Sequence, residues 1–247
     1  MIHIKSEQEI DAMREPCAIV RDALAYVGSK IRPGITTAEL DRLAEEYIRS
    51  RGAIPSCLGY CGYPASICAS VNEEIVHGIP GERVLRAGDI VSIDLCAYKN
   101  GFHGDGARTF PVGEISEEKK KLIRVTEECF WKALENLHAG TPLYDIGAAV
   151  QKHAEENGFS VVREYSGHGI GREMHEDPSV PNFGKRGTGI RLKEGMVICV
   201  EPMILAGSRK SRVLADGWTA VTADGKPAAH YENTLVIRED GAEILTL

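Results

Sequence analysis

Residues 85–94 have the sequence LRAGDIVSID, and residues 192–201 have the sequence LKEGMVICVE, so the second segment repeats the first without gaps. The offset is 107 residues, and HGIP at 77–80 is similar in the same way to HGIG at 168–171. A period this long is not that of a solenoid. Chance similarity of short glycine-containing strings is the alternative, and matches in the same order argue against it. The repeat therefore predicts two similar α/β halves that face each other across a shared site.

The two predicted halves belong to one domain, residues 1–247, and span roughly residues 8–112 and 116–240. Two capping boxes, in which a Ser or Thr precedes a Glu by three positions, predict the first helix starts, at Ser6 and at Thr36. Apolar spacing and glycine stops predict helices over 6–31, 36–52, 119–137 and 142–157. Apolar runs predict strands over 90–98, 105–112, 161–165, 196–204 and 232–238.

The two aligned segments both end on an acidic residue, Asp94 in the first and Glu201 in the second. Each lies within an apolar strand, which predicts a buried carboxylate, and a buried carboxylate is costly unless it is paired. No lysine or arginine stands close to either residue in the sequence. The counter-ion is therefore either a distant arginine or a metal ion.

The dipeptide Asn100-Gly101 predicts a two-residue hairpin turn between the strands that follow Ile90. Such a turn pairs residues whose numbers sum to 201, so Asp94 faces Ala107, and Asp105 has the same parity as Ala107. We therefore expect Asp94 and Asp105 to be diagonal neighbours on one face, within reach of one metal site. A β-bulge is the alternative that would break this parity.

Two further residues complete the predicted ligand set. Glu232 opens an apolar run in the second half and corresponds there to Asp105, and His168 lies in a glycine-rich turn at 166–169. Four carboxylates and one imidazole suit a pair of divalent first-row ions, with Mn²⁺, Fe²⁺ or Co²⁺ favoured and Zn²⁺ allowed. A structural hydrogen bond or ion pair is the alternative for any one residue alone. Five such residues in repeat-related positions favour the metal site.

The composition argues against several other classes of protein. The net charge is −7 from 29 basic and 36 acidic residues, and no basic stripe indicates a nucleic-acid surface. No apolar run reaches the roughly 18 residues of a membrane span. The absence of a signal pattern and seven scattered cysteines predict a reduced, cytoplasmic protein. The zinc motif HExxH, the GxSxG nucleophile motif and the phosphate-binding GxxxxGK motif are all absent.

The strings at these positions resemble those of type I methionine aminopeptidases in their short bacterial form, a group within the pita-bread metallopeptidase family. They are SIDL at 92–95, HGDGARTF at 103–110, GHGIG at 167–171, VEPM at 200–203, YENT at 231–234 and CLGYCGYP at 57–64. The resemblance covers essentially the whole chain. His168 and Glu201 are 33 positions apart, too few for the helical insertion of the type II enzymes.

The resemblance implies an α/β (α+β) pita-bread fold. Two pseudo-twofold-related halves would form a curved antiparallel sheet covered by helices, with a dinuclear metal site between them. It further implies that two divalent metal ions are bound by Asp94, Asp105, His168, Glu201 and Glu232. Glu201 would also act as the general base.

The resemblance also implies a set of substrate-binding residues. His77 and His175 would contact the scissile peptide and share in catalysis. The methionine pocket would be formed by Cys57, Tyr60, Tyr63, Cys68, Met174 and Trp218. Ordinary core or surface roles for the aromatic residues, and turn roles for the two histidines, are the alternatives. Met174 departs from the phenylalanine usual in the family, and Cys61 stands where other residues are common.

The function implied is removal of the N-terminal methionine from nascent polypeptides when the second residue is small. The expected partners are nascent chains, at the ribosome, and the expected state is a monomer without nucleic-acid or membrane binding. Two alternatives are open: an Xaa-Pro-cleaving aminopeptidase of the same fold, and a non-catalytic pita-bread module that binds protein or RNA. The pocket motif around Tyr60 argues against the first, and the five intact ligands argue against the second.

Overall fold

The computed structural model describes residues 2–247. Its α-helices are α1 (Glu7–Gly28), α2 (Thr37–Ser50), α3 (Glu117–Leu134) and α4 (Tyr144–Glu156). Both predicted capping boxes are present, because Ser6 and Thr36 accept the N–H of the glutamate three residues on and that glutamate accepts theirs. Helix α1 ends before the predicted residue 31, since Lys30 and Ile31 bond three residues back and tighten the chain.

The strands of residues 2–247 are short, apart from one long hairpin. They are β1 (Ile54–Pro55), β2 (Cys68–Val71), β3 (Glu74–Val76), β4 (Ile90–Lys99), β5 (Phe102–Pro111), β6 (Ser160–Val161), β7 (Ser166–Gly169), β8 (Glu176–Pro181), β9 (Val197–Val200), β10 (Met203–Leu205), β11 (Ser211–Val213), β12 (Ala220–Thr222), β13 (Ala228–His230), β14 (Glu232–Ile237) and β15 (Ala242–Ile244). A 3₁₀ turn, Tyr60–Gly62, precedes β2.

A nine-stranded antiparallel sheet forms the centre of the fold. Its main order is β1-β4-β5-β14-β9-β7-β8, with β2 beside β4 and β15 beside β14. Strands from the two halves of the sequence meet at the middle, where Glu232 of β14 pairs with Ala107 of β5. The expected fold class, an antiparallel sheet shared by two halves and covered by helices, is confirmed.

Each pair of helices packs an apolar face against its own part of the sheet. In the first half, Leu24 of α1 and Leu40 of α2 pack in one cluster with Ile93 of β4. In the second, Phe130 of α3 joins a cluster that includes Ile198 of β9. Burying side chains of this size stabilises a fold by about 1.5–3 kcal/mol each. No helix in residues 2–247 has the length and apolar character needed to cross a bilayer.

The long hairpin has the register that the sequence predicted. Asn100 and Gly101 both have positive φ, 56° and 83°, as a two-residue turn of this type requires. Asp94 therefore pairs with Ala107, and Asp105 pairs with Cys96, so both aspartates lie on the same face of the sheet.

The predicted strand over 196–204 is wrong in one respect, because it is two strands in two different sheets. Strand β9 ends at Val200, and β10 begins at Met203 beside β13 and β6. Pro202 has no N–H to give to a ladder, which explains the interruption. Glu201 consequently stands where the chain leaves the central sheet.

The predicted strand over 161–165 and turn over 166–169 are also wrong. The first is reduced to β6, and the second is strand β7, which pairs with β8 and β9. Its glycines permit a very close approach: a Cβ on Gly169 would lie 2.1 Å from the carbonyl oxygen of Asp177. A Cβ on Gly167 would lie 2.3 Å from that of Cys199. His168 is thus held by a packed strand rather than by a free turn.

Candidate metal and substrate site

The predicted ligands come together in one cavity of about 270 Å³. Asp94 and Asp105 reach it from the first half, and His168, Glu201 and Glu232 reach it from the second. It is lined by Val76, His77, Asp94, Asp105, Glu164, Tyr165, Ser166, His168, His175, Glu201, Met203 and Glu232. All five predicted ligands and both predicted catalytic histidines therefore face the same space.

Within the cavity the donor atoms form two overlapping groups. In one, atoms of Asp105, His168, Cys199 and Glu232 all lie within 4.8 Å of one another, and in the other those of Glu201, His230 and Glu232 do. Glu232 belongs to both groups, which is the position expected of a carboxylate shared by two ions. Asp94 lines the cavity but belongs to neither group.

His168 is oriented with one ring nitrogen toward the carboxylates. Its Nδ1 lies 2.9 Å from the carbonyl oxygen of Gly169, a bond that requires the proton on Nδ1. Its Nε2 lies 3.6 Å from Oε1 of Glu201 and 4.0 Å from Oδ2 of Asp105. Burial lowers the pKa of His168 to about 3, so the imidazole is neutral and its Nε2 lone pair is available to a metal.

The carboxylates of the cavity carry a charge that no side chain neutralises. Burial and the neighbouring Glu232 raise the pKa of Asp105 well above its usual value. Burial and Asp94 do the same for the pKa of Glu201, and burial and Glu201 for that of Glu232. Within residues 2–247, these groups form no ion pair with a lysine or arginine. A bound divalent cation would supply the missing positive charge.

Two nearby groups that could have taken this role do not. Arg108 donates to the carbonyl oxygens of Ala107 and Glu232 and to Oδ1 of Asn233, so its guanidinium holds the backbone instead of the carboxylates. The Cys199 thiol is a poor ligand here, because burial and Glu232 raise its pKa well above the usual value. Oε1 of Glu232 has no hydrogen-bond partner. This oxygen-rich, partly unpaired donor set fits a divalent metal ion.

His230 belongs to the site, although the sequence was not interpreted that way. It is 1% exposed, and neither of its ring nitrogens has a hydrogen-bond partner. Its Nε2 lies 3.6 Å from Oε2 of Glu201 and 3.9 Å from Oε2 of Glu232. The available signal was its position two residues before Glu232, since alternate residues of an extended chain share a face.

The two predicted catalytic histidines stand on different walls of the cavity. His77 has a positive φ of 59°, and its ring lies 5.4 Å from that of Tyr165. Burial lowers the pKa of His77 to about 4. His175 lies at the cavity mouth, where its Nδ1 is 2.9 Å from the hydroxyl of Tyr60 and its ring is 4.3 Å from that of His168. Partial loss of water around the ring lowers the pKa of His175 as well.

Most of the predicted methionine pocket forms one apolar cluster next to the carboxylates. It contains Tyr63, Ala65, Cys68, Cys57, Ile79 and Trp218. The rings of Tyr63 and Trp218 meet edge to face at 5.0 Å. Cys68 of β2 pairs with Asp94 of β4, so the apolar cluster directly adjoins the acidic one.

Three residues of the predicted pocket region lie outside this cluster. Tyr60 is 38% exposed and is connected to the site through His175. Met174 is buried in the loop before His175. Cys61 is exposed with a φ of 48° in the 3₁₀ turn.

Comparisons with known proteins give a consistent result over the full chain. The sequence profile of metallopeptidase family M24 matches residues 11–239. A methionine aminopeptidase from Clostridium perfringens is 56% identical over 247 residues, which cover 100% of this chain and 99% of that protein. A methionine aminopeptidase structure from Thermotoga maritima has a TM-score of 0.98 at 45% identity, covering 100% of this chain and 99% of its own.

Enzymes named for Xaa-Pro substrates share the fold less completely. An Xaa-Pro dipeptidase from Bacillus anthracis has a TM-score of 0.79 at 26% identity. The match covers 98% of the present chain but 61% of that one.

Proposed function

Because the chain belongs to metallopeptidase family M24, we propose that it is a methionine aminopeptidase, a metal-dependent hydrolase that removes N-terminal methionine when the second residue is small. The observation that carries the proposal is the contact between an apolar cluster and an acidic one, at the Cys68–Asp94 pair. The near full-length similarity to methionine aminopeptidases supports it. We take residues 1–247 as one catalytic domain that acts on nascent chains, as a cytoplasmic monomer.

The acidic cluster is the proposed metal centre. Two divalent ions would be held by Asp94, Asp105, His168, Glu201 and Glu232, with Glu232 placed between the two donor groups. When bound, such ions polarise a peptide carbonyl and make water more acidic. Oxygen-rich ligation favours Mn²⁺, Fe²⁺ or Co²⁺ and allows Zn²⁺.

The side chains around this centre divide the remaining tasks. Glu201 stands where the chain leaves the sheet, and it would accept a proton from the attacking water and return it to the leaving amine. His77 and His175 are neutral at pH 7, so they would hydrogen-bond the scissile amide and the developing oxyanion without adding charge. Asp94, beside Cys68, would hold the free amino group of the substrate.

The same geometry would restrict the substrate at both subsites. An apolar cluster containing Tyr63, Cys68 and Trp218 would accept an unbranched thioether side chain. The second substrate residue would pass the ligands and His77 within a cavity of about 270 Å³, where a bulky side chain would clash.

A panel of four peptides tests this specificity. With one metal throughout, we expect kcat/KM to be highest for Met-Ala-Ser and lower for Leu-Ala-Ser, because apolar pockets discriminate by only about 1–3 kcal/mol per methylene. Met-Lys-Ser and Ala-Pro-Ser should be cut poorly. Acetylated Met-Ala-Ser should resist cleavage, since its blocked amine cannot pair with Asp94.

The panel separates the proposal from its alternatives. Fastest cleavage of Ala-Pro-Ser would favour an Xaa-Pro enzyme. Equal rates for Met-Lys-Ser and Met-Ala-Ser would show that the second subsite is not tight. Absence of cleavage with every metal would favour a binding module.

A further inference from the structure

A lysine near the N-terminus is buried beside the loop that carries His175. Lys5 forms an ion pair with Glu176, the residue after His175, and the two side chains are 4% and 8% exposed. Within residues 2–247, it is the one lysine or arginine ion pair with both side chains under 10% exposed. Surface ion pairs contribute little to stability, whereas a buried pair is sensitive to the loss of either partner.

The second oxygen of Glu176 closes the loop over Gly171–His175. Its Oε1 accepts the backbone N–H of Arg172 at 2.9 Å and that of Glu173 at 3.4 Å. Gly171 donates its own N–H to the carbonyl oxygen of Glu173 at 3.1 Å. The carboxylate therefore binds Lys5 on one side and the loop backbone on the other.

The fit around this pair is close. A Cβ on Gly171 would lie 2.6 Å both from Oε1 of Glu176 and from Cε of Lys5. The backbone N–H of Lys5 donates to the carbonyl oxygen of Gly195 at 2.8 Å, just before β9 and Glu201. Lys5 thus connects the His175 loop to the strand that leads to Glu201.

We propose that Lys5 and Glu176 are positioning residues for His175, because their ion pair fixes the Gly171–His175 loop against the metal centre. The inference rests on the proposed function for the role of His175. With the pair intact, the His175 ring lies 4.3 Å from that of His168 and its Nδ1 lies 2.9 Å from the Tyr60 hydroxyl. Misplacement of a reacting group by about 1 Å can cost roughly 10²-fold in rate.

The first test compares single and double variants. Lys5→Met and Glu176→Gln should each lower kcat on Met-Ala-Ser by about 10–100-fold, with little change in KM or metal content. The double variant should recover at least about tenfold over Glu176→Gln, since no charge remains buried alone and the glutamine oxygen still accepts from Arg172. Glu173→Gln, which removes the same charge from an exposed position in the loop, should match the wild type.

A second comparison separates positioning from general stability. In a His175→Ala background, Lys5→Met should cause no further loss of kcat, because the pair acts through the missing ring. A full additional loss in that background would overturn the proposal, even if Lys5→Met also lowers Tm. The double variant remains informative if a single variant fails to fold.

Amide hydrogen exchange provides a readout that does not depend on activity. Exchange in residues 171–176 should accelerate in Lys5→Met and Glu176→Gln but not in Glu173→Gln. Unchanged exchange in both variants would contradict the inference. If the wild type releases no methionine while exchange responds as expected, the proposed function fails and the positioning of the loop stands.

Discussion

Replacing Asp105 with asparagine should abolish most metal binding and most peptidase activity. Asparagine has the same shape, and its amide oxygen can still accept the N–H of Gly106, as Oδ1 does now at 2.9 Å. Its neutral amide is a much weaker metal ligand than a carboxylate. We expect bound metal to fall from about two ions per chain to one or none. Activity should fall by more than about 10²-fold, since even groups that only support a ligand cost 10–100-fold.

The same substitution should have the opposite effect on the metal-free fold. In the folded chain, burial and Glu232 raise the pKa of Asp105, so the stability of the metal-free protein declines as pH rises from the unfolded-state pKa through the raised one. Asparagine removes this penalty. The Tm of metal-free Asp105→Asn should therefore equal or exceed that of the metal-free wild type at pH 7, with the difference shrinking toward pH 4. The increase in Tm on adding metal should be lost.

Metal content, thermal denaturation and peptide cleavage measured on one preparation check this result. Asp240→Asn is the control, because it removes the same charge from an exposed residue. Normal metal content in Asp105→Asn would exclude Asp105 from the ligand set. A large drop in its metal-free Tm would show that Asp105 stabilises the fold by itself.

Removing either cavity histidine should leave the metal centre filled but slow the reaction. His77→Ala and His175→Ala should each lower kcat by roughly 10²–10⁴-fold, the usual contribution of a positioned proton donor or acceptor. Metal stoichiometry should hardly change, because neither histidine belongs to the two donor groups. His138→Ala, at an exposed position, is the control.

Backbone strain at His77 requires a second variant. Its φ of 59° lies in the left-handed region, which asparagine tolerates better than alanine does. His77→Asn should therefore fold at least as well as His77→Ala and remain slow. Loss of metal from both the His77 and His175 variants would instead make these histidines ligands.

The sequence predicted what depends on local patterns. The helix starts at Ser6 and Thr36 follow from capping chemistry between residues three apart. The shared face of Asp94 and Asp105 follows from a two-residue turn, because hairpin register is then fixed by counting.

What the sequence did not reveal depends on contacts between distant segments. Burial of His230 against Glu201 needs β13 and the end of β9 to converge. The change of sheet at Pro202 was readable from its missing N–H, but the neighbouring apolar residues outweighed it. The pairing of Lys5 with Glu176 joins residues 171 positions apart, and nothing in either local pattern indicates it.

The central claim is that methionine removal requires the metal centre formed by the buried carboxylates. Its most direct test is the release of methionine from Met-Ala-Ser by metal-stripped protein, before and after adding back Mn²⁺, Fe²⁺, Co²⁺ or Zn²⁺. We predict no release by the stripped protein, recovery with at least one ion, and saturation near two ions per chain. Undiminished release in excess chelator, with no bound metal detectable, would contradict the account.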